Sequence, residues 1–273
     1  MGLRLSSNTM AIANNINKHS KTIGDESMKI SSGKRIIYAG DDAAGAAIAS
    51  KINADVMGLK QAKKNTNDAL SLVQTSEGAL NEIQNILIRM RELVLENGSR
   101  STRDEDARLI DIEYKQLRKE INRISHQTFY NGIPLLNGQA KNLDFQVGPN
   151  RGKSNIITLK NERINTTTKA LKIGDQGIYY LDDSRDTLEQ VDTALSRVSS
   201  QRAYLGAIQA RLGFASSHLD TMIFHKEDAR AIIEDVDYAN SISTLLKAKI
   251  LQNYSQAALA QANLNSALVL KLL

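Results

Sequence analysis

Histidine side chains are the first candidates for metal binding or acid–base catalysis, because the chain contains no cysteine. The four histidines are His19, His126, His218 and His225. His218 and His225 share one face of a predicted helix, but two helical turns separate them by about 10 Å, which is too far for both to bind one metal ion directly. We therefore interpret this pair as solvated surface residues.

Two pairs of adjacent aspartates, Asp41-Asp42 and Asp182-Asp183, are the other candidates for a chemical site. Each pair directly precedes a predicted helix, where an aspartate can cap free backbone N–H groups and interact favourably with the helix dipole. The sequence contains no His-Glu-x-x-His motif, no glycine-rich phosphate loop and no nucleophile elbow. It therefore predicts a protein that is not an enzyme and has no catalytic, cofactor-binding or metal-binding residues.

Composition and charge restrict the classes of partner. The formal net charge is +5, but most basic residues are interleaved with acidic ones, and 4 Phe, 8 Tyr and no Trp leave few aromatic rings to stack on bases. We therefore expect no nucleic-acid partner. No stretch approaches the roughly 20 apolar residues of a membrane-spanning helix, and the N-terminal residues lack the apolar core of a secretory signal. The sequence thus predicts no membrane insertion. If the chain is exported, we expect it to use a route that does not depend on a secretory signal.

Two long heptad seams are the elements that must position any functional surface. From Leu59 to Val94, small or apolar residues alternate at three- and four-residue spacings for five heptads, which is typical of a helix that packs along a partner helix. The same seam extends back through Ile52 and Ile48. A second seam of similar length runs from Leu188 to Ile223, with Arg202 as a departure. The fold class is therefore mainly α, a long antiparallel helical bundle with helices at about 43–96, 103–126 and 185–233.

The segment from about 130 to 181 differs in composition from the long helices, since it contains both prolines and six glycines. Apolar residues alternate from Leu143 to Val147, a turn follows, and Asn155 to Leu159 returns, which predicts a β-hairpin. We expect a second short strand pair that involves Ile173 and residues 178–181.

The two ends of the chain are thin helices whose apolar stripes bury too little area to be stable alone. Residues 240–273 carry three lysines and no acidic residue. We predict that these helices order by packing against copies of the chain, because such segments commonly fold on association. The domain organisation is then an N-terminal helix in 1–40, a rod in 41–235 and a C-terminal helix in 236–273.

The sequence resembles bacterial flagellin in segments that follow the family order along nearly the whole chain. The matching segments are Lys29–Ile36, Gly40–Ala49, Gln74–Ile83, Arg89–Leu93, Gln127–Gly132 and Ala257–Asn263.

The resemblance implies an extracellular structural subunit that is exported unfolded through the flagellar channel and polymerises into the filament used for swimming. The terminal helices would form a coiled coil in the inner tube of the polymer, and the rod would form the outer tube. The middle segment of about 50 residues indicates a minimal form without large variable outer domains. The residues expected to pack in the inner tube are Ile16, Ile23, Leu245, Leu246, Ile250, Leu259, Leu264 and Leu268.

The partners implied by the resemblance are other copies of the chain or closely related flagellins, a filament cap, hook-junction proteins and a secretion chaperone on the C-terminal helix. The family surface that Toll-like receptor 5 recognises would fall on Arg89, Leu93 and Glu113. Arg89 would make a directional contact and Leu93 an apolar one. Subunit packing is the alternative role for the same three residues.

Two alternatives to a filament subunit remain open from the sequence. A hook–filament junction protein of the same apparatus resembles flagellin at both terminal helices. A protein of another class, an amphipathic membrane-binding helical protein, is suggested by the weakly basic C-terminal helix.

Overall fold

The computed structural model describes residues 2–98, 104–174 and 177–272, and the side chains of 9–98, 104–174, 177–180 and 183–264. Within these ranges the chain is mainly helical, as predicted, with two short antiparallel strand pairs. The elements are α1 (Gly2–Ser32), α2 (Ala43–Asn97), α3 (Asp104–Gln127), β1 (Phe129–Tyr130), β2 (Ile133–Pro134), β3 (Leu143–Gln146), β4 (Ile156–Leu159), α4 (Thr168–Leu171), α5 (Leu181–Glu234) and α6 (Tyr238–Leu272), with 3₁₀ turns at Lys153–Asn155 and Asn161–Arg163.

The chain divides into two compact units. Unit 1 comprises Met1–Val56 and Phe224–Leu273, and unit 2 comprises Met57–Ile223. The boundaries predicted at residues 40 and 235 both fall inside unit 1. The helices α2 and α5 each contribute residues to both units, because neither helix is interrupted at the boundary.

The α2 seam forms the centre of unit 2. All of its predicted positions from Leu59 to Val94 are buried, which confirms that segment of the pattern. In unit 1 the extension through Ile48 is wrong, because Ile48 is exposed and Ala49 is buried instead. The three-then-four spacing continues backward from Leu59 through Val56 and Ile52 to Ala49, so that Ile48 falls one residue off the seam.

The helix α5 runs antiparallel to α2 in unit 2. Three side-chain contacts establish the direction, because higher residue numbers on one helix pair with lower numbers on the other. These contacts are Lys63 Nζ to Asp220 Oδ1 at 2.5 Å, Arg202 Nη1 to Gln84 Oε1 at 2.5 Å and Arg91 Nε to Asp192 Oδ1 at 2.7 Å. The predicted antiparallel bundle is therefore confirmed.

Arg202 is a polar interruption of the α5 seam. Its guanidinium donates to Gln84 and lies 3.7 Å from Glu77, so that α2 supplies both of its polar partners. The Nε atom of Arg202 is buried and has no hydrogen-bond partner among the described residues. The arginine therefore replaces one apolar layer of the bundle with a polar contact that is incompletely satisfied.

The helix α3 covers the same core from a third side. Its apolar stripe contributes Ile110 and Ile121, and it also buries the phenol of Tyr114. Burial raises the pKa of Tyr114 to about 12, because the phenolate is disfavoured in an apolar environment. The start predicted for this helix at residue 103 lies outside the described residues.

The strand pairs of unit 2 agree with the sequence in one case and not in the other. Strands β3 and β4 pair with Leu143 opposite Leu159 and Phe145 opposite Ile157, which confirms the predicted hairpin. The second pair lies at 129–134, and the described residues of the predicted segment, 173–174 and 177–181, form no strand. Asn131 and Gly132 form its two-residue turn with φ values of 48° and 78°, the conformation for which an Asn-Gly pair is suited.

Residues 177–180 are held by helix side chains instead of a strand partner. The backbone N–H of Ile178 donates to Asp111 Oδ1 at 2.8 Å, and its carbonyl accepts from Asn97 Nδ2 and from Ser184 Oγ. Ile178 itself is fully buried. Because α2, α3 and α5 satisfy these backbone groups, no ladder hydrogen bonds are needed, and α5 begins at Leu181.

Candidate functional site

The helices α1 and α6 pack against each other in unit 1. Because α1 ends where α6 begins, joined by the hydrogen bond from Val236 N to Gly33 O, the two helices run antiparallel. The face that α6 turns toward α1 follows a heptad spacing and consists mostly of small or polar residues. Its members are Ser241, Leu245, Ala248, Gln252, Ser255 and Leu259, all buried or half-buried.

The predicted packing residues divide between two faces. Ile16 and Ile23 of α1, with Leu245 and Leu259 of α6, are half-buried within the helix pair. Leu246, Ile250 and Leu264 are exposed, Ile250 by 67%. The side chain of Leu268 lies outside the described residues.

A second apolar stripe therefore lies on the face of α6 that points away from α1. At about 100° per residue, its members recur on one side of the helix, opposite the face packed on α1. Sequence reasoning missed two of them, Ile242 and Tyr254, although the four-residue spacing from 242 to 254 was a visible signal. We define the outward stripe of α6 as Ile242, Leu246, Ile250, Tyr254 and Leu264, all exposed.

The connections next to the helix pair are held by short-range hydrogen bonds. Lys34 and Asp235 form an isolated antiparallel β-bridge, and Arg35 N donates to Glu234 O at 2.6 Å. Asp42 Oδ1 accepts from Gly45 N at 2.8 Å and so caps α2, as the sequence predicts for one of the two aspartates. Asp41 Oδ2 instead accepts from the backbone N–H groups of Tyr38 and Ile37. The segment between α1 and α2 is thus an ordered turn.

Three carboxyl groups of unit 1 have lowered pKa values. Backbone donors of Tyr38 and Ile37 lower the pKa of Asp41, and the Lys226 ammonium lowers that of Asp55. Burial acts to raise the pKa of Glu26, but hydrogen bonds from Lys29 and Ser241 lower it overall. Since Glu26 lies on α1 and Ser241 on α6, the third group links the helix pair directly.

The lowered pKa values of these three carboxyl groups predict that acid destabilises unit 1. A carboxyl whose pKa is lower in the folded state stabilises that state above its unfolded pKa of about 4, and the contribution is lost as the pH falls through the folded value. The protection factors of α1 and α6 peptides in hydrogen exchange, corrected for the intrinsic exchange rate, should therefore fall as the pH drops below about 4. Glu26→Gln should reduce this acid dependence. An unchanged acid dependence in that variant would contradict the assignment to Glu26.

Unit 2 carries the second candidate surface, around Arg89. The guanidinium of Arg89 donates to Glu113 Oε1 at 2.9 Å and to Glu92 Oε2 at 3.2 Å. Hydrogen bonds to Glu113 and then to Glu92 raise the pKa of Arg89. All three side chains are about half exposed, so these ion pairs add little stability and leave the groups accessible. The structure thus brings Arg89 and Glu113 together from α2 and α3.

Leu93 does not belong to this surface, which corrects the sequence-based expectation. Leu93 is 1% exposed and is part of the hydrophobic core of unit 2. It lies beside the seam residues Met90 and Val94, where the core occupies a wider stripe of α2 than the seam alone. An apolar contact by Leu93 with a partner would require it to leave that core.

The residues first considered for chemistry are not brought together. His218 and His225 are both exposed. Among the described residues, no group of three or more histidine and acidic side chains is arranged to hold a metal ion. The described helices also contain no stretch long and apolar enough to cross a membrane.

Comparison with known proteins gives a consistent result over most of the chain. Residues 5–141 match the model of the bacterial flagellin N-terminal helical region, and residues 188–273 match that of the bacterial flagellin C-terminal helical region. A flagellin of Bacillus subtilis is 39% identical over 302 aligned residues, covering 99% of this chain and 95% of the relative. A flagellin of Halalkalibacterium halodurans is 38% identical over 245, covering 90% and 89%.

The structural comparison agrees with the sequence matches. The crystal structure of Bacillus cereus flagellin superposes with a TM-score of 0.52 at 30% sequence identity, covering 57% of this chain and 88% of that one. The two family models cover both halves of the helical framework, and the relatives are matched over nearly their full lengths. This chain therefore belongs to the bacterial flagellin family, in a short, minimal form.

Proposed function

We propose that this chain is a structural subunit of the extracellular bacterial flagellar filament and that many copies assemble through their terminal helices. Membership of the flagellin family supports the polymer and its location. The observation that carries the mode of assembly is the outward stripe of α6, five apolar side chains that α1 leaves uncovered.

The outward stripe favours assembly because its exposure is costly in the isolated chain. Covering a large apolar side chain stabilises a complex by about 1.5–3 kcal/mol. The α1-facing side of α6, with Ser241, Ala248 and Ser255, offers little apolar area within one chain. We infer that neighbouring copies supply the missing cover, with α1 and α6 in the inner tube and the α2, α3 and α5 bundle in the outer tube.

Neither alternative is favoured. A hook–filament junction protein would share the terminal helices, but the relatives matched over nearly their full lengths are named flagellins. A membrane-binding helix would use the outward stripe, yet α6 lies in the region matched by the flagellin C-terminal model. Liposome flotation of the monomer distinguishes membrane binding from filament assembly. Strong binding to liposomes would count against assembly as the role of the outward stripe.

The direct test of the proposal is assembly of the purified chain. After seeding with short filament fragments, we expect electron microscopy to show long helical tubes. Protein that stays monomeric under seeded conditions, while remaining helical by circular dichroism, would contradict a filament subunit and favour a junction protein.

Further partners follow as proposals from the same stripe. An apolar helix face must be kept from aggregating before export, so we expect a secretion chaperone to cover α6 in the cell and the chain to pass unfolded through the flagellar channel. A filament cap and hook-junction proteins would contact the ends of the polymer. The acid-free composition of residues 240–273 suits a partner with an apolar and acidic groove.

We also propose that the Arg89 surface, defined as Arg89, Glu92 and Glu113, makes a contact outside the subunit. Its exposure and its mixed charge support either recognition by Toll-like receptor 5 or subunit packing. A planar guanidinium held by two carboxylates is preorganised for directional contacts.

Arg89→Ala separates these two roles. If the receptor uses Arg89, signalling by the monomeric chain should fall by about tenfold or more, while seeded assembly continues. Lys63→Ala is a matched control, because Lys63 is also an α2 cation in a surface ion pair. Unchanged signalling with Arg89→Ala would exclude the receptor role, and failed assembly would favour subunit packing.

A further inference from the structure

A groove on unit 2, between α3 and the segment that begins with α4, is strongly basic. It has a volume of about 340 Å³ and is open to solvent. We call it the α3–α4 groove. Its lining consists of Arg118, Lys119, Asn122, Arg123 and Thr168.

The two arginines of the groove are held in place by the protein. Arg118 Nη1 donates to Gly174 O at 2.8 Å, which ties α3 to the far end of the α4 segment. Arg123 binds Glu120 through two nitrogens, at 2.8 Å and 2.5 Å, and donates to Gln127 at 2.7 Å. The Glu120 carboxylate raises the pKa of Arg123, so the guanidinium remains charged. A ligand therefore meets cations that have already lost much of their side-chain freedom.

Positive charge is in excess around the groove. Lys169 and Lys172 lie on the same segment as Thr168 and Gly174, and both are exposed. Among the described residues, Lys119, Lys169 and Lys172 form no ion pair. Among the described residues, Arg123 of the lining pairs with Glu120. The local field therefore favours an anionic ligand.

The chemistry of the lining narrows the class of ligand. Among the described residues, no aromatic ring lines the groove, so these residues offer no platform on which single-stranded nucleic acids stack. The described lining residues also include none of the tryptophan or tyrosine side chains that commonly anchor protein partners. An amide and a hydroxyl, from Asn122 and Thr168, stand among the cations and can bind sugar hydroxyls.

We propose that the α3–α4 groove binds an acidic polysaccharide, a glycan whose carboxylate or sulfate groups pair with Lys119 of the lining and with Lys169, which is adjacent in sequence to the lining residue Thr168. This goes beyond the filament role and does not depend on the Arg89 surface. Acidic glycans are polyanions found outside cells. In a polymer the groove repeats once per subunit, so weak binding at each copy gives strong attachment to a long glycan.

The test uses the full monomeric chain with heparin as the probe, measured by calorimetry at two salt concentrations. Lys119→Glu with Lys169→Glu should weaken binding by about tenfold or more, and wild-type binding should weaken as salt rises. The matched control is Lys141→Glu with Lys153→Glu, which makes the same change in net charge at exposed lysines outside the groove. The control should bind within about twofold of wild type. Circular dichroism checks that all variants remain folded.

Three outcomes would overturn the proposal. Equal losses in both double variants would show that heparin senses only net charge. Single-stranded DNA of matched charge that binds at least as tightly as heparin, with the same dependence on Lys119 and Lys169, would assign the groove to nucleic acid. Binding by the monomer that vanishes in assembled filaments would show that a neighbouring copy fills the groove.

Discussion

Replacing Ile250 by aspartate should abolish filament assembly while leaving the isolated chain folded. Ile250 lies at the centre of the outward stripe and is 67% exposed, so a carboxylate there remains solvated in the monomer. In an assembled interface the same carboxylate would be removed from water without a partner, at a cost of several kcal/mol per subunit. Because each subunit repeats the defect, polymerisation should stop. Seeded assembly followed by sedimentation and electron microscopy measures the effect.

Two control variants keep this prediction specific. Gln256→Glu adds the same single charge at an exposed position of α6 that lies off the outward stripe, and it should assemble. Ile250→Leu keeps the apolar contact and should assemble as well. Normal tubes from Ile250→Asp would refute the role of the stripe, and failure of Gln256→Glu would mean that any negative charge on α6 blocks assembly.

Replacing Leu87 by alanine should strongly destabilise unit 2. Leu87 is fully buried in the core shared by α2, α3 and α5. Removing its side-chain carbons loses burial and leaves a cavity, which costs about 2–5 kcal/mol in well-packed cores. The rigid seam on either side limits collapse into that cavity, so we expect a value in the upper half of this range. Hydrogen exchange of peptides from residues 57–223 reports the stability of unit 2 separately from unit 1.

Leu95→Ala on the same helix is the matched control. Leu95 is 49% exposed, and its truncation should change the stability of unit 2 by less than about 1 kcal/mol. Equal effects of the two substitutions would show that the seam does not form the core. Assembly of the Leu95 variant is informative as well, since an exposed leucine on α2 is available for contacts between copies.

The sequence by itself determined the long helices and the identity of their buried faces. A heptad seam repeats the same geometric condition every seven residues, so its direction is specified many times over and survives an isolated exception such as Arg202. The seam from Leu59 to Val94 and the partner seam in α5 were therefore predictable. The β3–β4 hairpin was predictable for a similar reason, since strict alternation fixes one face of a strand.

The tertiary structure decided where local patterns were ambiguous. Leu93 could not be assigned from its spacing, because a residue beside a seam is buried or exposed according to how many helices surround it. Ile173 and Ile178 are apolar, and their local pattern predicted strands. The side chains of Asn97 and Asp111 instead form hydrogen bonds with the backbone carbonyl and N–H group of Ile178. Both outcomes depend on residues distant in sequence.

The same distinction holds for the candidate surfaces. The sequence indicated that α6 packs against something, because its apolar residues are too numerous for a solvated helix. Only the pairing with α1 decided which of them, Leu245 and Leu259, are covered within the chain and which, Leu246 and Ile250, remain for other copies. The choice of face is set by where the partner helix lies, and that position is fixed by contacts such as Lys34 with Asp235, 201 residues apart, which no local pattern encodes.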